Sequence, residues 1–303
     1  MKFPNKNMTF GGGVVVNLLH LCEMMSLRWH SEEELNVPIE MLRKFAEKNH
    51  FELRQRLVKD KTKYKLVRKE VPVYFISDES QKTFKFLDLA DIHIGNRWFD
   101  ENTLRDILKQ AVENEVEAVF IAGDIFEGVA AECECLKEHS NQIEKAYQIF
   151  KDYPLKYYAI NGNHDYTFEQ IGMCNPVKIL ATKLNEIGIE FHHFDTYIMD
   201  FVLCGVVKRV MHVERQDFTK KRIFAVEKLR QFEKEHGLVA NYEGKEYPIR
   251  FFQAGHIHVN VQMYYPRRKI FISQSGSFVT KDGNEENANF ITGNVIDKKV
   301  FMC

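Results

Sequence analysis

Phe84-Lys85-Phe86-Leu87-Asp88-Leu89-Ala90-Asp91-Ile92-His93 is a short apolar run that ends in a carboxylate and an imidazole. The pattern returns three times. Ala118 to Ala122 ends in Gly123-Asp124, Tyr157 to Ile160 leads to Gly162-Asn163-His164-Asp165, and Phe251 to Ala254 ends in Gly255-His256-Ile257-His258. Aromatic or β-branched runs this short are expected to be buried strands of a parallel sheet. Polar clusters at several strand ends converge on one sheet edge, where α/β folds place their chemistry. Asp, Asn and His together suit two divalent metals.

Around these blocks, strands and helices alternate from Thr83 onward. Leu104, Ile107, Leu108, Ala111 and Val112 give one amphipathic helix; Leu136, Ile143, Ala146, Tyr147 and Phe150 a second; Val177, Leu180, Ala181 and Leu184 a third. Strands are expected at Ile189 to Phe194 and at Tyr197 to Val207, with Asp200 near a turn. A charged helix over roughly Lys221 to His236 precedes the strand ending at Gly255, and strands near Ile270 to Gln274 and Phe290 to Ile296 close the chain. The order βαβαβα followed by antiparallel strands predicts a layered α/β sandwich.

The first 75 residues differ in character. Val14, Leu18, Leu21, Cys22 and Met25 recur at helical spacing. Ser31 and Glu34 have the spacing of a capping box, Pro38 sits where a first helical residue would, and Ile39, Leu42, Phe45 and Ala46 form one apolar face. Phe51, Leu53 and Leu57, a turn at Lys59 to Lys61, then Tyr64 and Leu66 read as a hairpin. Three helices and a hairpin are the order of a winged helix-turn-helix. The hairpin carries Arg54, Arg56, Lys59, Lys61, Lys63, Lys65, Arg68 and Lys69 against one acid, Asp60, which suits phosphate contacts; a solvated hairpin on a packing or dimerisation domain is the alternative. Val71 to Gln81 reads as a linker. Domains are therefore expected at 1–75 and 76–303.

The whole chain sets wide bounds. Its 303 residues, 45% hydrophobic and 28% charged, are those of an ordinary globular protein, and a net charge of −1 leaves any basic patch local. Six cysteines stand without metal-ligand spacing or disulfide-framework density, so a reducing, cytoplasmic setting is expected. Asn17 and His20 interrupt the one signal-like stretch, and no segment reaches the length of a membrane span.

Asp-x-His, Gly-Asp, Gly-Asn-His-Asp and Gly-His-x-His in this order resemble the calcineurin-like metallophosphoesterase superfamily, from about Thr83 to the C-terminus. The resemblance implies a four-layer αββα sandwich, here with a small winged-helix-like domain ahead of it. It implies an enzyme that hydrolyses phosphate esters by a hydroxide activated between two metals. Asp91, His93 and His258 would hold the first metal, Asn163 and His256 the second, and Asp124 would bridge both. His164 would contact the phosphoryl group or help protonate the leaving oxygen, and Asp165 would orient His164. The family also requires a strand-ending histidine between the third and fourth blocks. His212, after Val206 to Met211, is the first candidate. His236, the pair His192 and His193, and a degenerate second site are the alternatives. The donor set suits manganese, iron or zinc more than magnesium or calcium, and the resemblance to the nuclease-like branch implies Mn2+ first, with Fe, Zn or Mg as further choices.

Leu89-Ala90-Asp91-Ile92-His93-Ile94-Gly95, Gly123-Asp124-Ile125-Phe126 and the later Ser275-Gly276-Ser277-Phe278 look like SbcD-type DNA-repair nucleases. That Ser-Gly-Ser turn could bring amides to a phosphate or simply end a strand. DNA is therefore the expected substrate and partner, with a homodimer left open. The chain closes at Cys303 without the C-terminal capping region of those enzymes, so an SbcC-like ATPase partner is not expected. A phosphomonoesterase, a protein or nucleotide phosphatase, and a non-enzymatic metal-binding regulator are the other readings.

Overall fold

The computed structural model describes residues 8–10, 14–16, 29–35, 38–48, 51–58, 61–68, 71–130, 138–212, 238–256, 258, 260–279, 292–296 and 299–302. Two compact units divide the chain, Met1–Val71 and Pro72–Cys303.

In the first unit, β1 (Met8–Phe10) pairs antiparallel with β2 (Val14–Val16). The helix expected to begin at Val14 is thus corrected over its first three residues. Three consecutive β-branched valines favour a strand over a helix, and the remainder of that expected helix lies outside the described residues. β3 (His30–Ser31), α1 (Glu32–Leu35), α2 (Ile39–Lys48), β4 (Phe51–Val58) and β5 (Lys61–Arg68) follow. The Ser31 amide donates to Glu34 Oε2 at 3.3 Å, one half of the capping box. β3, β5 and β4 form a three-stranded sheet, with Leu42, Ala46, Tyr64 and Leu66 buried.

The second unit opens with β6 (Val73–Phe75), which pairs parallel with β11 (Ile198–Leu203). The segment read as a linker therefore supplies a strand, because Tyr74 packs against Phe194, Phe201 and Tyr158. Next come β7 (Thr83–Leu89), α3 (Glu101–Glu113), β8 (Ala118–Ala122), α4 (His139–Phe150) and β9 (Tyr157–Ile160). α5 (Thr167–Gln170), α6 (Pro176–Glu186) and β10 (Phe191–Phe194) complete the alternating part. After β11 the chain forms β12 (Val206–His212), β13 (Val239–Tyr242), β14 (Lys245–Gly255), β15 (Val261–Tyr265), β16 (Ile270–Gln274), β17 (Thr292–Ile296) and β18 (Lys299–Met302).

These strands make two sheets. One has the order β10-β9-β8-β7-β17-β18, and the other β15-β16-β14-β12-β11-β6 with β13 beside β14. Between them lies an aromatic core that includes Phe86, Phe120, Phe201 and Phe251, the rings of Phe86 and Phe251 meeting edge-on at 5.0 Å. α3, α4 and α6 pack their apolar faces on the other side of the first sheet. Asp100 starts α3 by accepting the Thr103 amide, and Asn175 starts α6 by accepting the amides of Val177 and Lys178. The helix expected over Lys221 to His236 lies outside the described residues, so three layers of the sandwich are described.

Two readings of the middle strands need correction. Tyr197 to Val207 is not one strand: a turn at Cys204-Gly205, both at positive φ, separates β11 from β12. Asp200 is not near a turn but mid-strand, where both its oxygens accept from Arg209 at 2.7 and 2.8 Å. No described helix is long and apolar enough to cross a membrane.

Candidate metal centre

β7, β8 and β9 run parallel in one sheet and β12 and β14 run parallel in the other. Their C-terminal ends share one edge, where the four sequence blocks meet. Backbone bonds lock the loops together. The Asp91 amide donates to Gly123 O at 3.0 Å, the His93 amide to Asp124 O at 3.0 Å, and the His256 amide to both oxygens of Asp91 at 2.9 and 2.8 Å.

Close approach demands glycine at two points. A Cβ on Gly123 would lie 2.6 Å from His212 Nδ1, and one on Gly162 would lie 2.1 Å from Asp124 Oδ1. Less expected is the conformation of the side-chain bearers. Asp91, His93, Asp124, His256 and His258 all have φ between 50° and 90°, the left-handed region. Each such residue costs about 1–2 kcal/mol relative to ordinary backbone. Strain gathered at one edge is the pattern of a functional site rather than of strand caps.

Three groups of side chains converge: Asp91 with His93 and His258, Asp124 with His212 and His256, and His93 with Asp124 and His164. His93 Nε2 and His258 Nε2 are 2.9 Å apart, and His258 Nε2 is 3.5 Å from Asp91 Oδ1. His212 donates from Nδ1 to Ala122 O at 2.7 Å, so Nε2 turns to Asn163 Oδ1 at 2.9 Å and Asp124 Oδ2 at 3.3 Å. Asp124 Oδ2 is buried without a hydrogen-bond partner, and His93 Nε2 lies 3.9 Å away. A buried carboxylate oxygen without a hydrogen-bond partner, near two imidazoles, fits a group that would hold divalent cations. The set contains nitrogen and oxygen donors and no thiolate.

The charge balance points the same way. Burial works to raise Asp124, yet His212 and His93 hold its carboxyl well below the usual range. Asp91 is likewise held low by His258 against burial. Burial would lower His212, but Asp124 pushes it up to about 9. Asp91 raises His258 against burial, while burial and the neighbouring His212 drive His256 down to about 3. Protons on imidazoles here balance carboxylates that metal cations could balance instead.

His164, about one third exposed, donates its backbone amide to Asp124 Oδ1 at 2.8 Å. Its Nδ1 donates to Glu127 O at 2.9 Å, so the ring is oriented by a backbone carbonyl. The expectation that Asp165 sets this tautomer is corrected. Asp165 instead accepts the amides of Asp124 and Gly162 on Oδ2 and of Phe126 on Oδ1, all at 2.9 Å, and so holds the loop that carries Asp124. Burial and the charge of Asp124 push its pKa up to about 7.

The Ser-Gly-Ser turn braces the site from behind. Ser277 Oγ and the Phe278 amide both donate to Asp91 O, and the Ser275 amide donates to Ala254 O. The amides of Ser275 and Phe278 are thus committed inside the fold. Glu127 was missed in the sequence. It is buried, with Oε2 2.8 Å from His93 Nδ1 though outside hydrogen-bond geometry, and His93 helps hold its carboxyl low against burial. An acid directly after the apolar Ile125-Phe126 was the available signal. Of the alternatives to His212, His192 and His193 sit on edge strand β10, and His236 lies outside the described residues.

Residues 84–260, more than half of the chain, match the calcineurin-like phosphoesterase family, and the chain belongs to it. It is accordingly a phosphate ester hydrolase of a family that uses divalent metals. Over 113 residues it is 27% identical to the DNA double-strand break repair protein Mre11 of Archaeoglobus fulgidus, a match covering 35% of this chain and 24% of that one. The chain thus matches about a quarter of that relative's length. Among solved structures it is similar to a dimetal phosphatase from Danio rerio, with a TM-score of 0.44 and 12% identity over 73% of this chain and 96% of that one. A single mutant of Vps29 from Entamoeba histolytica gives a TM-score of 0.39 at 12% identity over 73% and 97%.

Proposed function

We propose that the chain is a two-metal DNA phosphodiesterase, a nuclease working with Mn2+. The observation that carries the metal centre is the orphaned Asp124 oxygen near His212 and His93. In this reading Asp91, His93 and His258 would hold one cation, Asn163, His212 and His256 would hold the other, and Asp124 would serve both. When bound, such a pair would supply charge neutralisation at phosphorus and lower the pKa of a bound water. His164, its Nδ1 proton committed to Glu127 O, presents Nε2 to the phosphoryl group or the leaving oxygen. Asp165 keeps the Asp124 loop in place.

Two features favour DNA among phosphate esters. One is the partial likeness to a relative named for double-strand break repair. The other is the hairpin of the first unit, which we read as the wing of a winged-helix DNA-binding domain. Arg54 registers with Lys65 and Arg56 with Lys63, so these four share one face, opposite Tyr64 and Leu66. Not every cation there is uncommitted: Arg54 pairs with Glu52, Lys61 with Glu33, and Arg56 stacks on Trp29 at 4.2 Å, while Lys59 lies outside the described residues.

Purified protein with Mn2+ should be assayed on single- and double-stranded DNA beside p-nitrophenyl phosphate and its bis-ester. Cleavage of DNA and the bis-ester is expected. Hydrolysis of the monoester alone would reject the nuclease reading and leave a phosphomonoesterase.

A further inference from the structure

The turn joining β15 to β16 has no role in the metal centre. It reads Tyr264-Tyr265-Pro266-Arg267-Arg268-Lys269. Residues 266–269 are exposed and Tyr264 is 51% exposed. Backbone bonds from Arg268 to Tyr265 and from Lys269 to Pro266 tighten the turn, and Lys269 takes a left-handed φ of 54°.

Several surface cations of this unit have acidic partners: Lys85 with Glu115, Arg105 with Glu101 and Asp152, Lys156 with Glu190, Lys183 with Glu144. Arg267 and Lys269 have none among the described residues. No Asp or Glu occurs in the surrounding sequence between Glu246 and Asp282. Arg250, just before the Phe251–Phe271 register pair on the adjacent strand, adds a further cation beside the turn. An unbalanced basic cluster with a half-exposed aromatic ring is unusual on a chain whose net charge is −1.

The turn lies at the opposite end of β16 from the metal edge. Five strand residues at about 3.3 Å each put roughly 17 Å between them. That span is about five base pairs of duplex. We propose that this turn is a second nucleic-acid contact, where Arg267 and Lys269 hold backbone phosphates and Tyr264 stacks on an unpaired base. The proposal rests on the nuclease reading above and deepens it: the substrate is a polymer long enough to reach both places, not a nucleotide. Arginine presents a fork matched to phosphate oxygens, and aromatic stacking tolerates any base.

The test uses the full chain with Arg267→Ala/Lys269→Ala and, separately, Tyr264→Ala. Binding to a duplex and a single strand of about 20 units is followed by fluorescence anisotropy in chelator across a salt series, and bis-ester turnover with Mn2+ is measured in parallel. The double variant should lower the slope of log affinity against log salt by about two on duplex. Tyr264→Ala should weaken single-strand binding about tenfold. Bis-ester turnover should not change in either variant. Unchanged DNA affinity and slope in a protein that binds and cleaves DNA would overturn the turn's role and leave the nuclease reading standing. If the unsubstituted protein hydrolyses the bis-ester but neither binds nor cleaves DNA, both fall. If the double variant loses only binding to phosphatidylserine vesicles, the turn is a membrane contact and the proposal is wrong.

Discussion

Lys208 and Asp88 offer the sharpest test of how the two sheets hold the metal edge in register. Lys208 is 1% exposed on β12, and its Nζ lies 2.7 and 2.8 Å from the two oxygens of Asp88, also 1% exposed, on β7. Phenylalanine rings surround the ammonium, with Nζ 4.3 Å from the centre of Phe86 and 5.0 Å from that of Phe120. Each charge is in a place water does not reach, and burial raises Asp88 and lowers Lys208 against their mutual attraction. Lys208→Met would leave a buried carboxylate without its cation, which costs about 3–5 kcal/mol. For a unit of this size that corresponds to a fall of about 10 °C in melting temperature.

The pH dependence fixes the mechanism. Without Lys208, the folded-state pKa of Asp88 stands above its unfolded value, so the folded protein binds the proton more tightly. Stability then falls as pH rises from the ordinary carboxylate range toward that raised value, and the variant should be least impaired in acid. Urea unfolding followed by circular dichroism at about pH 5 and about pH 8 measures both effects. Asp88→Leu/Lys208→Met should recover most of the loss, because the aromatic surroundings already suit apolar side chains. A single-variant loss below about 1 kcal/mol, or a double variant as unstable as either single, would refute the buried-pair account. The strands involved lead to Asp91 and His212, so single-variant Mn2+ binding should also weaken.

Three further outcomes are expected. His212→Ala should bind one Mn2+ where the unsubstituted protein binds two, counted by calorimetry; unchanged stoichiometry would remove His212 from the site. Asp165→Asn keeps one acceptor oxygen where three backbone amides are now served, so an N–H is left facing an amide nitrogen; unfolding in urea should show a loss of about 1–3 kcal/mol with weaker metal binding, and full stability would contradict its bracing role. Because Asp124 pushes His212 up to about 9 and Asp91 raises His258, metal must displace protons. Mn2+ affinity should therefore rise between about pH 6.5 and pH 8.5, with proton release seen as a buffer-dependent binding enthalpy; an affinity indifferent to pH would mean those imidazoles are neutral without metal.

What the sequence concealed was the partnering of charges across sheets. Val206-Val207-Lys208-Arg209-Val210-Met211 departs from the pattern of a buried strand, because two adjacent cations point to opposite faces of a sheet that should be apolar on both. In the structure each cation has its own buried acid, Asp88 toward the first sheet and Asp200 on the neighbouring strand. Asp88 lies 120 residues away, beyond any local window, and Asp200 nine residues away across the β11–β12 hairpin. The parallel strands and the block residues at their ends were legible, since burial leaves its mark in the composition of each short run. Left-handed backbone at Asp91, His93, Asp124, His256 and His258 was not, since nothing in those residue types demands it. The two hidden features bear on one another. Loops held in strained backbone need anchors that do not yield, and β12 brings His212 to the edge only while Lys208 and Arg209 stay neutralised along its length. The charges that obscured the strand in the sequence are thus the ones that fix where its histidine stands.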